Sequence, residues 1–352
     1  MNSTQEQYQD DEIDLRGLLT SLWANKLLIL AITTIFSLAG IAYALLAPQL
    51  WSAKAIVVAP LPSQSDQLQL RLEHLVAITN RSSIIKNHEE FLTGFSNAKL
   101  FTDFIQAFVS FDNKIEFLKT NGYVRQVDMQ DVRSLQRLYA ESAEKISVKQ
   151  KKDEADATLS FGADNAQEAL KLLNEYLPFI QNKEVETKNR LLTEKITNQT
   201  NTLNFIYQVK KAETLKRLQE DIARTEYALR ISKAADVEAP VENLNNQSIF
   251  AIDLGAKALN EKLKILKEIK SAELINPELA DIRLELDSLQ AIPQEKVSFT
   301  SYHFLQSPSE PLSRDKPKRP LVVILATMAG LMLGVLVALL RASSLFRGGK
   351  VE

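Results

Sequence analysis

The stretch Asp164–Asp236 decides the fold; it reads DNAQEALKLLNEYLPFIQNKEVETKNRLLTEKITNQTNTLNFIYQVKKAETLKRLQEDIARTEYALRISKAAD. It contains no glycine and a single proline, Pro178, and strong helix formers dominate it. Asp164 is a favourable N-cap, and Gln167 follows it at the capping-box spacing. A helix over the part that follows Pro178 would be about 85 Å long, whereas a typical globular helix has only ~11–12 residues. The stretch therefore predicts one very long helix.

The apolar residues of this helix are sparse and form a narrow stripe, with a break near Lys210. Such a stripe is narrower than the core-facing surface of a globular helix, so the helix needs partners along its length. We expect those partners to be other copies of the chain; a soluble coiled-coil rod is the alternative that this stretch alone leaves open. The predicted contacts between copies are Leu203, Ile206, Leu215, Leu218, Ile222 and Leu229.

Two uncharged apolar blocks lie near the ends of the chain, at Leu27–Ala47 and Pro320–Leu340. Each is long enough to cross a hydrocarbon layer of about 30 Å, so we interpret both as transmembrane helices. Two spans place both termini on one side of the membrane. A signal peptide is the alternative for the first block, but the run is too long for one and its leader is acidic.

The cations next to these blocks do not decide the orientation, because the terminal side and the loop side carry equal numbers of Lys and Arg. Long domains translocate largely regardless of charge, and residues 48–319 form a whole domain. We therefore place this domain outside the cytoplasmic membrane. The loop-side cations are Lys54, Arg314, Lys316, Lys318 and Arg319.

Strands are predicted on both sides of the long helix. Trp51–Ala59 is rich in β-branched and aromatic residues, and Ile146–Val148 with Ala157–Gly162 forms a predicted hairpin. Val297–Leu305 alternates in polarity and is expected to lie beside Trp51–Ala59 in one sheet. Helices in 237–292 can fold back along the long helix. The fold class is α+β, with two transmembrane helices, an α/β base and a very long extended helix.

Residue types that carry chemistry are scarce. The chain has no cysteine, and its three histidines, His74, His88 and His303, are not within metal-ligand spacing of one another. Gly348–Lys350 has no helix behind it to form a phosphate cradle. The net charge of −2, without a basic strip, gives no indication of a nucleic-acid partner. We expect no catalytic residue, metal or cofactor, and no enzymatic activity.

Two local patterns concern the second apolar block. Gly330 and Gly334 form a G-x-x-x-G motif, and small residues let helices approach closely in lipid. The ordinary small-residue content of a membrane helix is the alternative. The predicted membrane-helix packing residues are Gly330, Gly334, Ala326 and Ala338, a face that we expect other copies to cover. The prolines predicted to stiffen the linker before this block are Pro308, Pro311, Pro317 and Pro320.

The chain resembles the Wzz chain length determinants, which are the kinase-free polysaccharide co-polymerases of Gram-negative bacteria. The resemblance lies in the acidic Glu12–Leu15 segment, the WSAKAIVVAP strand, the helix start at Asp164–Glu168, the Phe250–Leu266 segment and the proline-rich Pro308–Pro320 segment. It covers essentially the whole chain.

This resemblance implies an inner-membrane protein with its α/β base and long helix in the periplasm and its protomers side by side in a ring. It implies that the ring sets the modal length of O-antigen or a related glycan, together with a membrane polymerase acting on an undecaprenyl-linked glycan. It implies no cofactor and no catalytic residue. A membrane-anchored periplasmic coiled-coil adaptor of an export or efflux complex is the alternative. A tyrosine autokinase would need a Walker loop, and a sensor would need a signalling domain.

The predicted layout follows from these assignments. It comprises a cytoplasmic tail at 1–26, a transmembrane helix at 27–47, the first part of the base at 48–163, the long helix at 164–236, return helices at 237–292, the base strand and Pro-rich linker at 293–319, a second transmembrane helix at 320–340 and a cytoplasmic tail at 341–352.

Overall fold

The structure is a computed structural model that describes residues 20, 22–79, 92–122, 132–150, 155–240, 250 and 252–347. The predicted acidic segment at Glu12–Leu15, His88 and Gly348–Lys350 lie outside these residues. The helices are α1 (Lys26–Leu46), α2 (Asp66–Thr79), α3 (Asn97–Val109), α4 (Phe111–Asn121), α5 (Val132–Glu144), α6 (Ala166–Ala234), α7 (Gly255–Glu268), α8 (Pro277–Gln290) and α9 (Arg319–Arg347). The strands are β1 (Trp51–Val58), β2 (Ile146–Lys149), β3 (Ala157–Ala163) and β4 (His303–Ser309).

Contacts divide the chain into two units, which are described separately. The first unit takes residues 1–57, 111–177 and 304–352, and the second takes residues 58–110 and 178–303. Both apolar blocks belong to the first unit. Most of α6 belongs to the second.

The first unit contains a four-stranded sheet with the strand order β2-β3-β1-β4. β3 is antiparallel to both β2 and β1, so Ile146 is opposite Phe161 and Trp51 is opposite Ala163. This confirms the predicted hairpin, and the strand order confirms that the last strand lies beside β1. Phe117 of α4 packs on this sheet, with its ring centroid 6.0 Å from that of Phe161 and 4.9 Å from that of Tyr176.

The last strand begins later than its alternating sequence predicts. We expected Val297–Leu305, but β4 begins at His303. The reason is that side chains of α6 already bond the backbone ahead of it. Asn189 accepts from the Val297 N–H at 2.7 Å and donates to the Val297 carbonyl at 2.9 Å, and Gln181 accepts from the Ser301 N–H at 3.0 Å.

The long helix α6 confirms the main prediction from the sequence. Its 69 residues correspond to roughly 100 Å of helix. The predicted cap is wrong by one residue, because Asn165 rather than Asp164 caps the helix. Asn165 Oδ1 accepts from the Glu168 N–H at 2.8 Å, and its side-chain amide donates to Glu168 Oε2 at 3.1 Å. Asp164 instead lies 3.2 Å from Lys145 Nζ.

The second unit is built from helices that pack along α6, as predicted for the return helices. Its main core joins apolar side chains of α2, α3, α6 and α8 with the chain that follows α8. A smaller core joins α6 to α7 through Ala228, Leu229, Ala256 and Leu259. Buried members of the main core include Leu68, Leu72, Leu75, Leu100, Leu192, Leu203, Tyr207, Leu279, Ile282, Leu286 and Leu289.

The two apolar blocks are helices long and apolar enough to cross a membrane, at Lys26–Leu46 and Arg319–Arg341. In the most apolar 18 residues of each helix, only 11% and 17% are buried, respectively. The two helices therefore do not resemble the core helices of a soluble domain. Large side chains such as Leu30, Ile35 and Leu336 are exposed. A helix with an exposed apolar surface requires an apolar surrounding, and a bilayer provides it.

Candidate functional site

The two spanning helices pack against each other as an antiparallel pair. Arg319, at the start of α9, donates through Nε to the carbonyl oxygen of Ala44 near the end of α1, at 3.2 Å. In the middle of the pair, the Thr327 hydroxyl donates to Ser37 Oγ at 3.2 Å. Gly334, further along α9, lies against Ile29 near the start of α1.

Glycines and alanines make this approach close. A Cβ atom on Gly40 would lie 2.5 Å from the Ala326 Cβ, and one on Gly330 would lie 2.7 Å from the Phe36 Cβ. Real Cβ atoms do not come so near, so any larger side chain at either glycine would push the helices apart. Small residues permit such contact in lipid, where van der Waals packing holds helices together.

The small-residue face of α9 therefore contacts the chain's own first span, whereas the sequence analysis assigned it to neighbouring copies. Gly330, Gly334 and Ala326 all lie against α1, and Ala338 is buried at 1% exposure. The physical reason is proximity within one chain, since α1 presents its own small residue, Gly40, opposite Ala326. Sequence reasoning missed Gly40 because a single glycine makes no motif.

The predicted proline linker takes several structures. Pro308 belongs to β4, and Pro320 is the second residue of α9, where its missing N–H costs little. Pro311 and Pro317 lie between these elements, on a segment that is bonded to the chain after α1. There Leu50 donates to the Lys316 carbonyl at 3.1 Å and accepts from the Asp315 N–H at 2.8 Å.

Much of the predicted oligomer stripe of α6 packs in the chain's own core, and its predicted contacts with neighbouring copies stay a prediction. Leu203 is fully buried, and Ile206 and Leu215 pack against the same core. Leu229 lies in the smaller core with α7. Leu218 is buried at 8% exposure and Ile222 is half-buried. The return helices thus present apolar faces that pack on part of this stripe.

A different set of apolar side chains on α6 is exposed. Phe205 is 70% exposed and Val209 is 49% exposed, and Tyr227 and Ile231 repeat the same spacing further along the helix. Phe250 covers part of this set, with its ring centroid 5.5 Å from that of Tyr227. We call Phe205, Val209, Tyr227 and Ile231 the open face. Two i, i+4 apolar pairs outside the main stripe were the available signal in the sequence.

A charged cluster joins α3 to α6 inside the second unit. Lys188 Nζ lies 2.6 Å from Asp103 Oδ2 and donates to the Gly94 carbonyl at 2.8 Å. Burial tends to raise the pKa of Asp103, but hydrogen bonds from Lys188 and Lys99 outweigh it and hold this pKa below its ordinary value. Burial raises the pKa of Glu184, and the charge of Lys188 offsets part of that rise. This cluster fixes α3 on α6.

Among the described residues, no group of three or more His, Cys, Asp or Glu side chains could hold a metal ion. His74 and His303 are separated along the chain and belong to different elements. The arrangement offers packing surfaces: an antiparallel span pair and the open face of a long helix.

Known proteins are similar to this chain, a family model over part of it and curated relatives over nearly all of it. The family model described as "Wzz: Chain length determinant protein" matches residues 11–121. Ferric enterobactin transport protein FepE of Escherichia coli (strain K12) is 28% identical, over 94% of this chain and 89% of that protein. The ECA polysaccharide chain length modulation protein of the same strain is 26% identical, over 95% of this chain and 96% of that protein.

Among solved structures, a full-length bacterial polysaccharide co-polymerase has the same fold. The TM-score is 0.61 at 19% sequence identity, over 97% of this chain and all of that one. This likeness concerns the fold.

Proposed function

We infer from these matches that the chain is a member of the Wzz chain length determinant family, and we propose that it regulates the modal length of a surface polysaccharide. The observation that carries this proposal is that 95% of this chain aligns with 96% of an ECA chain length modulation protein. A regulator of this kind needs a scaffold held at the membrane, and the antiparallel span pair provides the anchor. The proposed role is non-enzymatic: the chain organises polymerisation, and a membrane polymerase extends the glycan.

The proposed location is the bacterial inner membrane, crossed twice. Because α1 and α9 are antiparallel, both termini lie on one side. We place residues 1–26 and 341–352 in the cytoplasm and residues 48–319 in the periplasm, where an undecaprenyl-linked glycan would be extended.

The proposed active form is a homo-oligomeric ring. The open face of α6 supports this proposal, because exposed aromatic and aliphatic side chains on one helix face are typical of a surface that another chain covers. Phe205 and Val209 form the more exposed half of this face. Neighbouring copies would bury it, and the polymerase would meet the ring in the membrane.

Deleting the gene from its host and separating the surface glycans by length tests the proposed function. We expect a clustered length distribution to become a smooth decay, with the total amount of polymer little changed, and the wild-type gene to restore the cluster. Complete loss of polymer would instead indicate an enzyme of glycan assembly. An unchanged distribution of both O-antigen and ECA-type glycans would contradict the proposal.

One relative, FepE, is described as a ferric enterobactin transport protein, so iron uptake by the deletion strain serves as a control. Growth with ferric enterobactin as the sole iron source should be equal with and without the gene. Impaired growth with an unchanged glycan profile would favour a transport role.

A further inference from the structure

The end of the span pair that lies away from the chain termini carries cations that the proposed function does not use. Lys54 Nζ, on β1, lies 3.9 Å from Asp315 Oδ1 on the segment between β4 and α9, so the two elements form one patch. Asp315 is the only acidic residue among residues 311–319. We call this set the basic collar; its members are Lys54, Arg314, Lys316, Lys318 and Arg319.

The basic collar is held in place through its backbone and through one guanidinium group. Leu50 exchanges hydrogen bonds with Lys316 and Asp315 at 3.1 and 2.8 Å. Arg319 bonds the carbonyl oxygen of Ala44, in the last turn of α1, at 3.2 Å. These bonds fix the segment beside the end of both spans, while Lys316 and Lys318 stay exposed.

The position of the basic collar relative to a bilayer follows from the spans. Because α9 begins at Arg319 and its apolar run follows at once, the collar lies where the hydrocarbon layer ends. Long cationic side chains at such a helix end reach into the headgroup layer. Leu312, on the same segment, is fully exposed and can enter the interface as an apolar anchor.

The charge of the basic collar is unusual for its side of the membrane. Cationic residues near spans favour the cytoplasmic side, yet here the side of the folded domain carries five of them, as many as the terminal side. These cations work against the charge bias that orients a membrane protein, which is consistent with a binding role for them. A phosphate group at headgroup height is the ligand that fits clustered Lys and Arg side chains.

We propose that the basic collar binds the phosphate of an anionic membrane lipid in the leaflet next to the folded domain. Anionic phospholipids and a polyprenyl diphosphate share this chemistry, and the experiment separates them. The proposal requires that α1 and α9 cross a membrane, and its argument from charge bias rests on the proposed placement of residues 48–319 in the periplasm; it does not depend on glycan length control.

The test measures lipid adducts on the full-length protein by native mass spectrometry in non-ionic detergent. The probes are phosphatidylglycerol, phosphatidylcholine and a polyprenyl diphosphate, each at the same concentration. The collar variant is Arg314→Gln/Lys316→Gln/Lys318→Gln. The matched control is Lys216→Gln/Arg230→Gln/Lys233→Gln, which removes the same charge from exposed positions of α6.

We expect the wild type to retain anionic lipid over phosphatidylcholine. Each cation near an anionic surface strengthens binding by roughly fivefold, so the collar variant should lose on the order of tenfold or more. The control variant should bind as the wild type does. Stronger retention of the polyprenyl diphosphate than of phosphatidylglycerol would assign the collar to a lipid carrier, and the reverse order would assign it to phospholipid.

Two results would overturn the proposal: equal retention of anionic and neutral lipid by the wild type, or equal losses in the collar and control variants. A charge-preserving variant, Arg314→Lys/Lys316→Arg/Lys318→Arg, separates charge from misfolding and should bind as the wild type does. Loss of binding in this variant would also contradict the proposal. Because adducts and glycan profiles are independent readouts, failure here leaves the proposed function standing.

Discussion

Lys188 is a cation with almost no access to solvent, since its side chain is 5% exposed beside Asp103. Removing one partner of a buried ion pair costs about 3–5 kcal/mol, because the other charge stays desolvated. We expect Lys188→Met to fall at the lower end of this range, since Asp103 keeps Lys99 and is 18% exposed. Urea unfolding of the full-length protein in detergent measures the loss.

Lys99 supplies the matched control for this prediction. It contacts the same carboxylate, but its side chain is 45% exposed. Exposed ion pairs contribute up to about 1 kcal/mol, so Lys99→Met should cost less than Lys188→Met. Equal losses would mean that burial does not determine the strength of the cluster.

The free energy of unfolding should depend on pH through Glu184 with the opposite sign to its dependence through Asp103. Burial raises the pKa of Glu184 above its ordinary value of 4.5, so the folded chain holds this proton more tightly than the unfolded chain. Ionisation as the pH rises above this ordinary value therefore lowers the free energy of unfolding. We expect Glu184→Gln to raise the thermal midpoint at pH 7 and to leave it unchanged at pH 4.

The control for Glu184 is Asp103→Asn. The pKa of Asp103 lies below its ordinary value, so its ionised form stabilises the fold above that ordinary value, and this contribution is lost as the pH falls through the lowered pKa. Asp103→Asn should therefore lower the midpoint at pH 7. If both variants shifted in the same direction, the assigned environments would be wrong.

At the scale of elements, the span pair depends on the contact between Gly40 and Ala326. An added Cβ on Gly40 would lie 2.5 Å from the Ala326 Cβ, and overpacking of this kind typically costs about 1–3 kcal/mol. We expect Gly40→Ala to separate the spans and Gly40→Ala/Ala326→Gly to restore them. The measurement is disulfide formation in a Ser37→Cys/Thr327→Cys background, because these hydroxyls are 3.2 Å apart and the chain has no other cysteine.

The disulfide assay also reports which chains pack together. A bond within one chain leaves a monomer on a denaturing gel, whereas a bond between copies gives a dimer. We expect monomer, with slower formation in Gly40→Ala and a normal rate in the double variant. A predominant dimer would show that the small-residue face of α9 contacts another copy of the chain.

The sequence predicted those helices and strands that depend mainly on their own residues. Asp164–Asp236 has no glycine and only one proline, and this was enough to predict α6. The β-branched residues of Trp51–Val58 were enough to predict β1. The start of β4 at His303 was not predictable, because Asn189 and Gln181 occupy the preceding backbone from more than a hundred residues away.

The candidate site was less accessible to sequence reasoning than the fold. The sequence correctly predicted that the stripe around Leu203 is apolar and helical. What packs against the stripe within the chain depends on which faces the return helices present. Periodicity gives the face of a helix and leaves its partner open. Gly330 was found through its motif, whereas its counterpart Gly40 becomes visible only when α1 and α9 are placed side by side.

At the scale of the whole molecule, the second unit leaves Phe205 and Val209 of the open face exposed while it covers much of the main stripe. Phe205 and Val209 contribute little to the stability of this unit, since they are 70% and 49% exposed. Exposing large apolar side chains in water is unfavourable by about 25 cal/mol per Å² relative to burying them. A contact between copies would remove this cost, and it would depend on these residues while the folding of a single copy would not.

The last prediction follows from this separation of folding and assembly. We expect Phe205→Glu/Val209→Glu to dissociate the oligomer in detergent without lowering the thermal midpoint, because the charges would be buried only between copies. The matched control is Asn204→Glu/Gln208→Glu, which adds the same charges at exposed polar positions of the same helix turns and should stay assembled. Native mass spectrometry gives the number of copies, and the glycan length profile of complemented cells gives the activity. Loss of the clustered length distribution in the first variant alone would connect assembly to length control, whereas intact oligomers in both variants would place the interface on another surface.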